Sequence, residues 1–202
     1  MPLEDFAVPT DWIVDLDQRW PERVALKTFI VDKLCEHIAA ASDSPRILEL
    51  GIGDGDLMLQ LYDQFPAAEF VAVDIKPVLL DFVGERFDRS ARVTFVEQDL
   101  SADQWTAVGN GFDVIYSLQS FHDLGGEEAL SNSYQRCLDR LAPNGMMLNT
   151  DFVEPMPQDD PQRPRRFAPD VHIRMLTSLG FREAKMLKRV GQLACLSARA
   201  EA

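Results

Sequence analysis

Three glycines that could hold a ligand stand at alternate positions in the run ELGIGDG, residues 49–55, directly after a short apolar segment. Glycine tolerates positive φ and lets backbone amides approach a ligand closely. A tight turn from a strand into a helix does not need three of them, so the run predicts a ligand-binding turn. The run is not G-x-G-x-x-G, because Asp56 stands three residues after Gly53. Asp54 and Asp56 would also repel a pyrophosphate at the start of the next helix, which disfavours a dinucleotide.

Acidic residues end the next two apolar segments. Asp74 ends VAVD, where a carboxylate can accept both ribose hydroxyls of an adenosine-type ligand. Capping of the helix that Pro77 opens is the alternative role for Asp74. Asp99, between Gln98 and Leu100, ends the third segment, where a carboxylate or amide can meet an adenine amino group. Capping of the following turn is the alternative role for Asp99.

A fourth polar group ends the next apolar segment, FDVIYSL, and continues beyond it. Its polar members are Ser117, Gln119, Ser120, His122 and Asp123. If parallel strands carry all four groups, the groups meet at the carboxyl edge of one sheet, which is where open α/β sheets bind their ligands.

The elements that would position these residues alternate between strands and helices from residue 46 onward. Near-continuous apolar strands alternating with helices predict an α/β fold with a doubly wound, mostly parallel sheet covered on both faces. The last two apolar segments, around Gly191, leave little room for a crossover helix, so they predict a hairpin with an antiparallel edge strand. The predicted strands are 46–50, 70–75, 93–100, 112–118 and 146–153 plus the C-terminal pair, and the helices are 57–65, 77–87, 127–141 and one that Gly180 closes.

The N-terminal 45 residues precede this alternation and are predicted to form an arm and a helix on the substrate side of a domain spanning 46–202. Residues 1–20 show no clear period and are interpreted as an irregular arm with helical turns. An amphipathic helix starts at Pro21. Phe6, Trp12 and Trp20 on the arm could form an apolar lid or could pack beneath that helix.

A proline-rich segment, residues 154–169, leaves the fifth predicted strand over the same edge and is not expected to form regular structure. It carries Arg163, Arg165 and Arg166, which could bind an acidic acceptor or could simply be solvated.

Composition limits the classes of partner. With 20 basic and 33 acidic residues, the net charge of −13 argues against nucleic acid and against anionic membrane surfaces. Three scattered cysteines, Cys35, Cys137 and Cys195, are expected to be reduced, and they predict neither a disulfide framework nor a metal site. The N-terminus lacks the pattern of a signal peptide and no apolar run approaches a membrane span, so we expect a soluble, cytoplasmic protein.

These motifs resemble those of class I S-adenosylmethionine (SAM)-dependent methyltransferases, in the family's order over residues 46–200. ELGIGDG resembles the first motif, VAVDI the acidic second-strand motif, FDVIYSLQSFHDL the fourth-strand motif and LAPNGMMLNTDF the fifth-strand motif. Asn144 replaces the first glycine of the usual P-G-G turn, which is tolerable because asparagine also visits positive φ. Neither N-P-P-Y nor a P-C pair follows the fourth strand, so the resemblance does not extend to the nucleic-acid enzymes that carry those motifs.

The resemblance implies a seven-stranded Rossmann-like sheet, SAM as cofactor and a role for each matching residue. The backbone of Gly51, Gly53 and Gly55 would lie against the amino-acid part of SAM, and Glu49 would lie near its ammonium group. Asp74 would take the ribose hydroxyls, and Ile75 would pack on the adenine that Asp99 and Leu100 bracket. Ser117 and Gln119 would lie beside the methionine part and the methyl-transfer channel.

Methyl transfer to a hydroxyl or ammonium acceptor also needs a group that removes a proton. His122 is the leading candidate for this base, with Asp123 orienting it, although His122 could instead be a surface or capping residue before Gly125. His37 and His172 lie on predicted helices and are interpreted as structural or solvated. The expected activity is methyl transfer to an O or N atom of a small molecule. A SAM-binding partner subunit, a protein methyltransferase and a nicotinamide oxidoreductase are the alternatives, and the oligomeric state stays open, a homodimer included.

Overall fold

A seven-stranded mixed sheet organises the protein. The structure is a computed structural model that describes residues 4, 8–41, 44–88, 91–102 and 104–202. The strand order is β3-β2-β1-β4-β5-β7-β6, with β1 to β5 parallel and β7 antiparallel to both β5 and β6. This confirms the predicted doubly wound sheet with its antiparallel C-terminal edge. The strands are β1 Arg46–Leu50, β2 Glu69–Asp74, β3 Val93–Glu97, β4 Phe112–Leu118, β5 Leu141–Phe152, β6 Arg182–Val190 and β7 Leu193–Arg199.

The strand sequences explain their places in the sheet. β1, β2 and β4 are apolar on both faces and almost entirely buried, as strands covered by helices on both sides must be. β6 forms an edge, and its charged residues leave most of it exposed, which discourages pairing with another chain. Asn144 takes a φ of 62° in the turn within β5, the backbone conformation that glycine would otherwise supply.

Six helices flank the sheet in the described part of the chain. Four of them begin on a proline, whose fixed φ suits the first helical turn and whose missing N–H is not needed there. They are α1 Pro9–Arg19, α2 Pro21–Ala41, α3 Asp56–Gln64, α4 Pro77–Gly84, α5 Glu127–Leu138 and α6 Pro169–Ser178.

Several element boundaries differ from the sequence prediction. α4 ends at Gly84 instead of residue 87, β3 ends at Glu97 instead of residue 100, and β5 begins at Leu141 instead of residue 146. The segment interpreted as an irregular arm contains α1, a complete helix with no buried residue. Its apolar face is short and only half-buried, with Trp12 and Leu16 at the ligand-binding side of the sheet, so the sequence pattern did not separate it from irregular turns. α5 ends at Leu138, and Leu141 already belongs to β5. Trp20 joins α1 to α2, whereas Phe6 lies outside the described residues.

The core forms two layers, one on each face of the sheet. α2 belongs to the layer with α3 and α4, because Leu26, Ile30 and Leu34 are fully buried there. Burial of each such side chain contributes about 1.5–3 kcal/mol, so α2 is firmly attached although it precedes the alternating elements. The other layer holds α5 and α6 around Trp105 and Tyr134. In the described residues, no helix is both long and apolar enough to cross a membrane.

Candidate active site

A cavity of about 610 Å³ opens at the carboxyl ends of the central strands. The strand order reverses between β1 and β4, so the loops after these strands diverge and leave a crevice. The region of α1 and α2 covers one side with Trp12, Leu16 and Trp20, and the loop after β5 covers the other. Nine of the residues predicted from the sequence line this cavity: Gly51, Gly53, Asp74, Ile75, Asp99, Leu100, Gln119, His122 and Asp123.

The glycine turn has the conformation that its sequence predicts, with positive φ at Gly51, Gly53 and Gly55. A Cβ on Gly51 would lie 2.0 Å from Ser120 Oγ, so the protein itself requires that glycine. A Cβ on Gly53 would meet no atom within 4 Å. The space beside Gly53 is therefore open to a ligand, and the backbone can approach that ligand closely.

Asp74 lies at the cavity, and its carboxylate also fixes the backbone on either side of it. Its Oδ1 accepts a hydrogen bond from the Lys76 amide at 2.9 Å, and its Oδ2 lies 3.4 Å from the Gly53 amide nitrogen. It also lines the cavity, where burial raises the pKa of its carboxyl group. Ile75 beside it is 55% exposed, which leaves an apolar surface facing the cavity.

Asp99 also caps a turn at the cavity wall. Its Oδ1 accepts hydrogen bonds from the Ser101 amide at 2.8 Å and from the Ser101 hydroxyl at 2.7 Å. The Leu100 carbonyl accepts a bond from Trp105 Nε1 at 3.3 Å, which holds this segment against the core. Asp99 and Leu100 therefore stand on a fixed backbone beside the cavity.

Three residues predicted at the ligand lie behind the wall instead. Gly55 faces Val83, whose Cγ1 would lie 2.5 Å from an added Cβ. The Ser117 hydroxyl donates to the Leu50 carbonyl at 2.9 Å and ties β4 to β1. The Glu49 carboxyl, 3% exposed, accepts a hydrogen bond from the Tyr116 hydroxyl at 2.7 Å. Burial raises the pKa of Glu49 well above its usual range.

His122 is held by a carboxylate other than the predicted one. Its Nδ1 lies 2.7 Å from Asp151 Oδ1, and its backbone amide donates to Asp151 Oδ2 at 2.9 Å. Asp123 lies farther away, with Oδ2 at 3.6 Å from His122 Nε2, and its other oxygen pairs with Arg165. The orienting role predicted for Asp123 therefore belongs to Asp151. The reason is the fold: the end of β5 runs beneath the 3₁₀ turn Phe121–Asp123, whereas Asp123 points outward.

The His122–Asp151 pair has an electrostatic consequence. Burial opposes protonation of His122, but the adjacent carboxylate outweighs it and raises the pKa of the imidazole. Burial also opposes ionisation of Asp151, but His122 and two backbone amides lower the pKa of that carboxyl. Asp151 thus remains ionised and accepts Nδ1–H, which leaves His122 Nε2 to exchange protons with the cavity.

Comparison with known proteins agrees with this geometry. A family profile described as "Methyltransferase domain" matches residues 47–145, from β1 to the turn in β5. The chain's fold and motifs are those of the class I SAM-dependent methyltransferases. Release factor glutamine methyltransferase of Chlorobaculum tepidum is 31% identical over 126 residues, 60% of this chain and 43% of that protein. Demethylmenaquinone methyltransferase of Thermus thermophilus is 32% identical over 114 residues, 54% of this chain and 48% of that protein.

A solved structure extends the likeness of fold. The DszA carbon methyltransferase superposes with a TM-score of 0.72 at 16% identity, over 88% of this chain and 54% of that one. The two curated relatives are matched over less than half of their own length.

SAM is the cofactor of this methyltransferase fold, and the cavity fits it. The open space beside Gly53 and the carboxylate of Asp74 lie on one wall, as an amino-acid chain joined to a ribose requires. A positively charged cofactor is also compatible with a wall that presents the carboxylates of Asp74 and Asp99.

Two cations that the sequence did not single out, Arg23 and Lys27, hold the glycine turn. Arg23 and Lys27 on α2 donate to Asp54 Oδ2 at 2.9 Å and 2.5 Å. Arg23 also donates to Asp17 Oδ1 at 2.8 Å and to Gln119 Oε1 at 3.0 Å. These contacts explain why an acidic residue is stable within the turn. A possible signal was the spacing of Arg23 and Lys27, four residues apart around the buried Leu26.

Proposed function

We propose that this protein transfers the methyl group of SAM to an oxygen or nitrogen atom of a small-molecule acceptor. The observation that carries the proposal is the His122–Asp151 pair, whose histidine lines the same cavity as the glycine turn. A SAM-binding protein that only regulates a partner would not need a histidine held in this way. An acceptor that must lose a proton from an O–H or N–H group does need a base held in position.

The cofactor would be held by the residues that line the strand ends. The backbone of Gly51–Gly53 would lie against the amino-acid part of SAM. Asp74 would accept hydrogen bonds from the two ribose hydroxyls. Ile75, Asp99 and Leu100 would surround the adenine. When bound, SAM supplies a methyl group on positively charged sulfur, which needs no further activation. The chain therefore has to align the acceptor, exclude water and remove a proton.

His122 would perform the last of these tasks. Its Nδ1–H donates to Asp151, so its Nε2 is the free basic atom and can take the proton from an acceptor hydroxyl or ammonium group. The acceptor heteroatom would then use its lone pair to bond the methyl carbon while the bond from that carbon to sulfur breaks, which leaves S-adenosylhomocysteine. Asp151 stabilises the imidazolium that results.

Water exclusion would fall to the N-terminal helices, which supports assigning residues 1–45 to the substrate side. Trp12 and Leu16 of α1 line the cavity with Trp20, whose ring lies edge-on to Phe152 at 4.8 Å. These apolar side chains would cover a small acceptor.

The first test is calorimetric titration of the protein with SAM, S-adenosylhomocysteine and NAD. We expect the two adenosyl ligands to bind and NAD not to bind. In Asp74→Ala, SAM binding should weaken by about 1–3 kcal/mol, because the ribose hydroxyls lose a charged partner. Unchanged affinity in a folded Asp74→Ala variant would remove Asp74 from the ribose site.

The second test follows a labelled methyl group from SAM into a panel of phenols, carboxylic acids and amines. His122→Ala should lower turnover at least tenfold while SAM affinity stays nearly the same, since general-base catalysis contributes about a hundredfold or more. Full activity of the His122→Ala variant would contradict the assignment of His122 as the general base. Labelled methyl in precipitated protein would indicate a protein acceptor. A product methylated on carbon would exclude transfer to O or N. SAM binding without any turnover would favour a SAM-binding partner subunit.

A further inference from the structure

Arg166 in the loop after β5 is a buried arginine at the wall of the cavity. Its side chain is 9% exposed, and it lines the cavity together with His122 and Phe152. The guanidinium carbon lies 5.4 Å from the centre of the Phe152 ring, so the aromatic face covers one side of the cation. Removing a guanidinium from water to this degree is costly unless its N–H groups find acceptors.

The protein supplies few of those acceptors. A guanidinium has five N–H donors, and Arg166 uses Nη1 to pair with Asp159. The pair is not two-pronged, because the other oxygen of Asp159 accepts the Met156 amide at 2.7 Å. Nε of Arg166 is buried without a hydrogen-bond partner, and Nη2 makes no hydrogen bond with another described residue. The Nε–Nη2 edge is therefore left over in a residue that is otherwise fixed.

The neighbouring arginines of the same loop differ from Arg166. Arg165 is used within the protein, because its Nε donates to the His122 carbonyl at 3.1 Å and its Nη2 pairs with Asp123. Arg163 is exposed and does not line the cavity. Of the three arginines that the sequence singled out, Arg166 alone combines burial, a cavity position and an unused donor edge.

We propose that the Nε–Nη2 edge of Arg166 binds a carboxylate of the acceptor, so that the substrates of the proposed methyl transfer are small aromatic acids. Two parallel N–H donors match the two oxygens of a carboxylate, and such charge-assisted pairs are the strong hydrogen bonds of proteins. The body of the acceptor would lie on the apolar wall of Trp20, Phe152 and Met156. The inference rests on the proposed function for the identity of the acceptor, but the binding of an acid to Arg166 is tested without turnover.

The test compares matched acids and amides as calorimetric ligands of the protein saturated with S-adenosylhomocysteine. The probe pairs are benzoate and benzamide, salicylate and salicylamide, and phenylacetate and phenylacetamide. Each amide keeps the ring and shape of its acid but lacks the charge. We expect the acids to bind about tenfold or more tightly than their amides.

Two variants assign that preference to one residue. Arg166→Met should abolish the acid–amide difference, and Arg166→Lys, which keeps the charge next to Asp159 but lacks the two-pronged edge, should lose most of it. Arg163→Met removes an equal charge from the same loop and should keep the full preference. If Arg166→Met fails to fold, Arg166→Lys still decides the question.

The inference is overturned if no acid binds in the millimolar range, if acids and amides bind equally, or if Arg166→Lys keeps the full preference. The proposed function fails separately, through the absence of S-adenosylhomocysteine binding. In that case the same acid–amide titrations on the free protein still show whether Arg166 selects a carboxylate.

Discussion

At the scale of single residues, His122 and Asp151 come from different segments, the turn after β4 and the end of β5, and their side chains meet at 2.7 Å. The sequence identified His122 but paired it with Asp123, the nearest carboxylate along the chain. Asp151 has a position comparable to that of Asp74, because each is an acidic residue within the last two residues of a strand whose carboxyl end is buried. That pattern marks Asp151 as a site residue, but it does not reveal which side chain it faces.

The residue-scale prediction concerns the pH dependence of turnover. Because Asp151 raises the pKa of His122, the base is available only as the pH rises through that raised value. Asp151→Asn removes the carboxylate, so the pKa of His122 should fall and the rising limb of turnover should move to lower pH. The maximal rate should fall as well, because the amide no longer stabilises the imidazolium.

The pH–rate profiles of Asp151→Asn and Asp123→Asn provide the measurement. Asp123 is exposed, and its Oδ2 lies 3.6 Å from His122 Nε2. Asp123→Asn should therefore leave the rising limb of the pH–rate profile near its original pH. Equal shifts in both variants would contradict the assignment of Asp151 as the orienting group.

At the scale of secondary-structure elements, the glycine turn serves the fold at one position and the ligand at another. Gly51 must be glycine because Ser120 of the next loop approaches it, whereas Gly53 borders open space. The sequence predicted the turn from its three glycines but could not separate these two requirements, since contacts between the loops after β1 and β4 depend on their being neighbours in the sheet.

The element-scale prediction is that alanine destabilises the fold more at position 51 than at position 53, whereas only alanine at position 53 acts directly on the ligand's space. Gly51→Ala places a Cβ 2.8 Å from Ser120 Cβ at a positive φ, so the free energy of unfolding should fall by about 1–3 kcal/mol. Gly53→Ala meets no such contact and should cost about 1–2 kcal/mol for its backbone conformation alone. It should nevertheless weaken S-adenosylhomocysteine binding, because the new methyl group occupies the ligand's space.

Urea unfolding and calorimetric titration of both variants separate these effects. Unchanged affinity of Gly53→Ala for S-adenosylhomocysteine would mean that the cofactor does not lie against the backbone at Gly53.

At the scale of the whole molecule, Arg23 joins four segments. Its guanidinium contacts Asp17 on α1, Asp54 in the glycine turn and Gln119 after β4, while its own helix packs on the sheet. Gln119 has a φ of 56°, a strained conformation for this residue type, and its amide donates to the Thr150 carbonyl at 2.8 Å. The N-terminal helices are thus connected to both loops that border the cavity.

The corresponding prediction is that Arg23→Met lowers the free energy of unfolding by about 3 kcal/mol, because it strips one partner from a buried carboxylate. Burial opposes ionisation of Asp54, but Arg23 and Lys27 hold the pKa of that carboxyl below its usual value of 3.8. The contribution of Asp54 to stability is therefore present above that usual value and is lost as the pH falls through the lower, folded one. Removing Arg23 raises the folded pKa, so acid unfolding should begin at higher pH.

Chemical unfolding across the acid range measures both effects. Lys33→Met serves as the control. Lys33 lies on the same helix and pairs with Glu36 in a partly exposed position. Such an ion pair contributes less than about 1 kcal/mol to the free energy of unfolding. If Arg23→Met and Lys33→Met behaved alike, the buried cluster would not connect the N-terminal helices to the turn.

The sequence by itself determined the alternation of strands and helices, the glycine turn, and the acidic residues at the ends of β2 and β3. These features are encoded over short stretches, by the apolar content of a strand, the φ that a turn requires and the residue at a strand's end. The tertiary structure alone decided that Asp151 faces His122, that Arg23 holds Asp54, that Arg166 is buried at the cavity and that Glu49 and Ser117 lie behind its wall. Each of those outcomes depends on strand order and register, which bring residues distant in sequence into contact and set the face to which each side chain points.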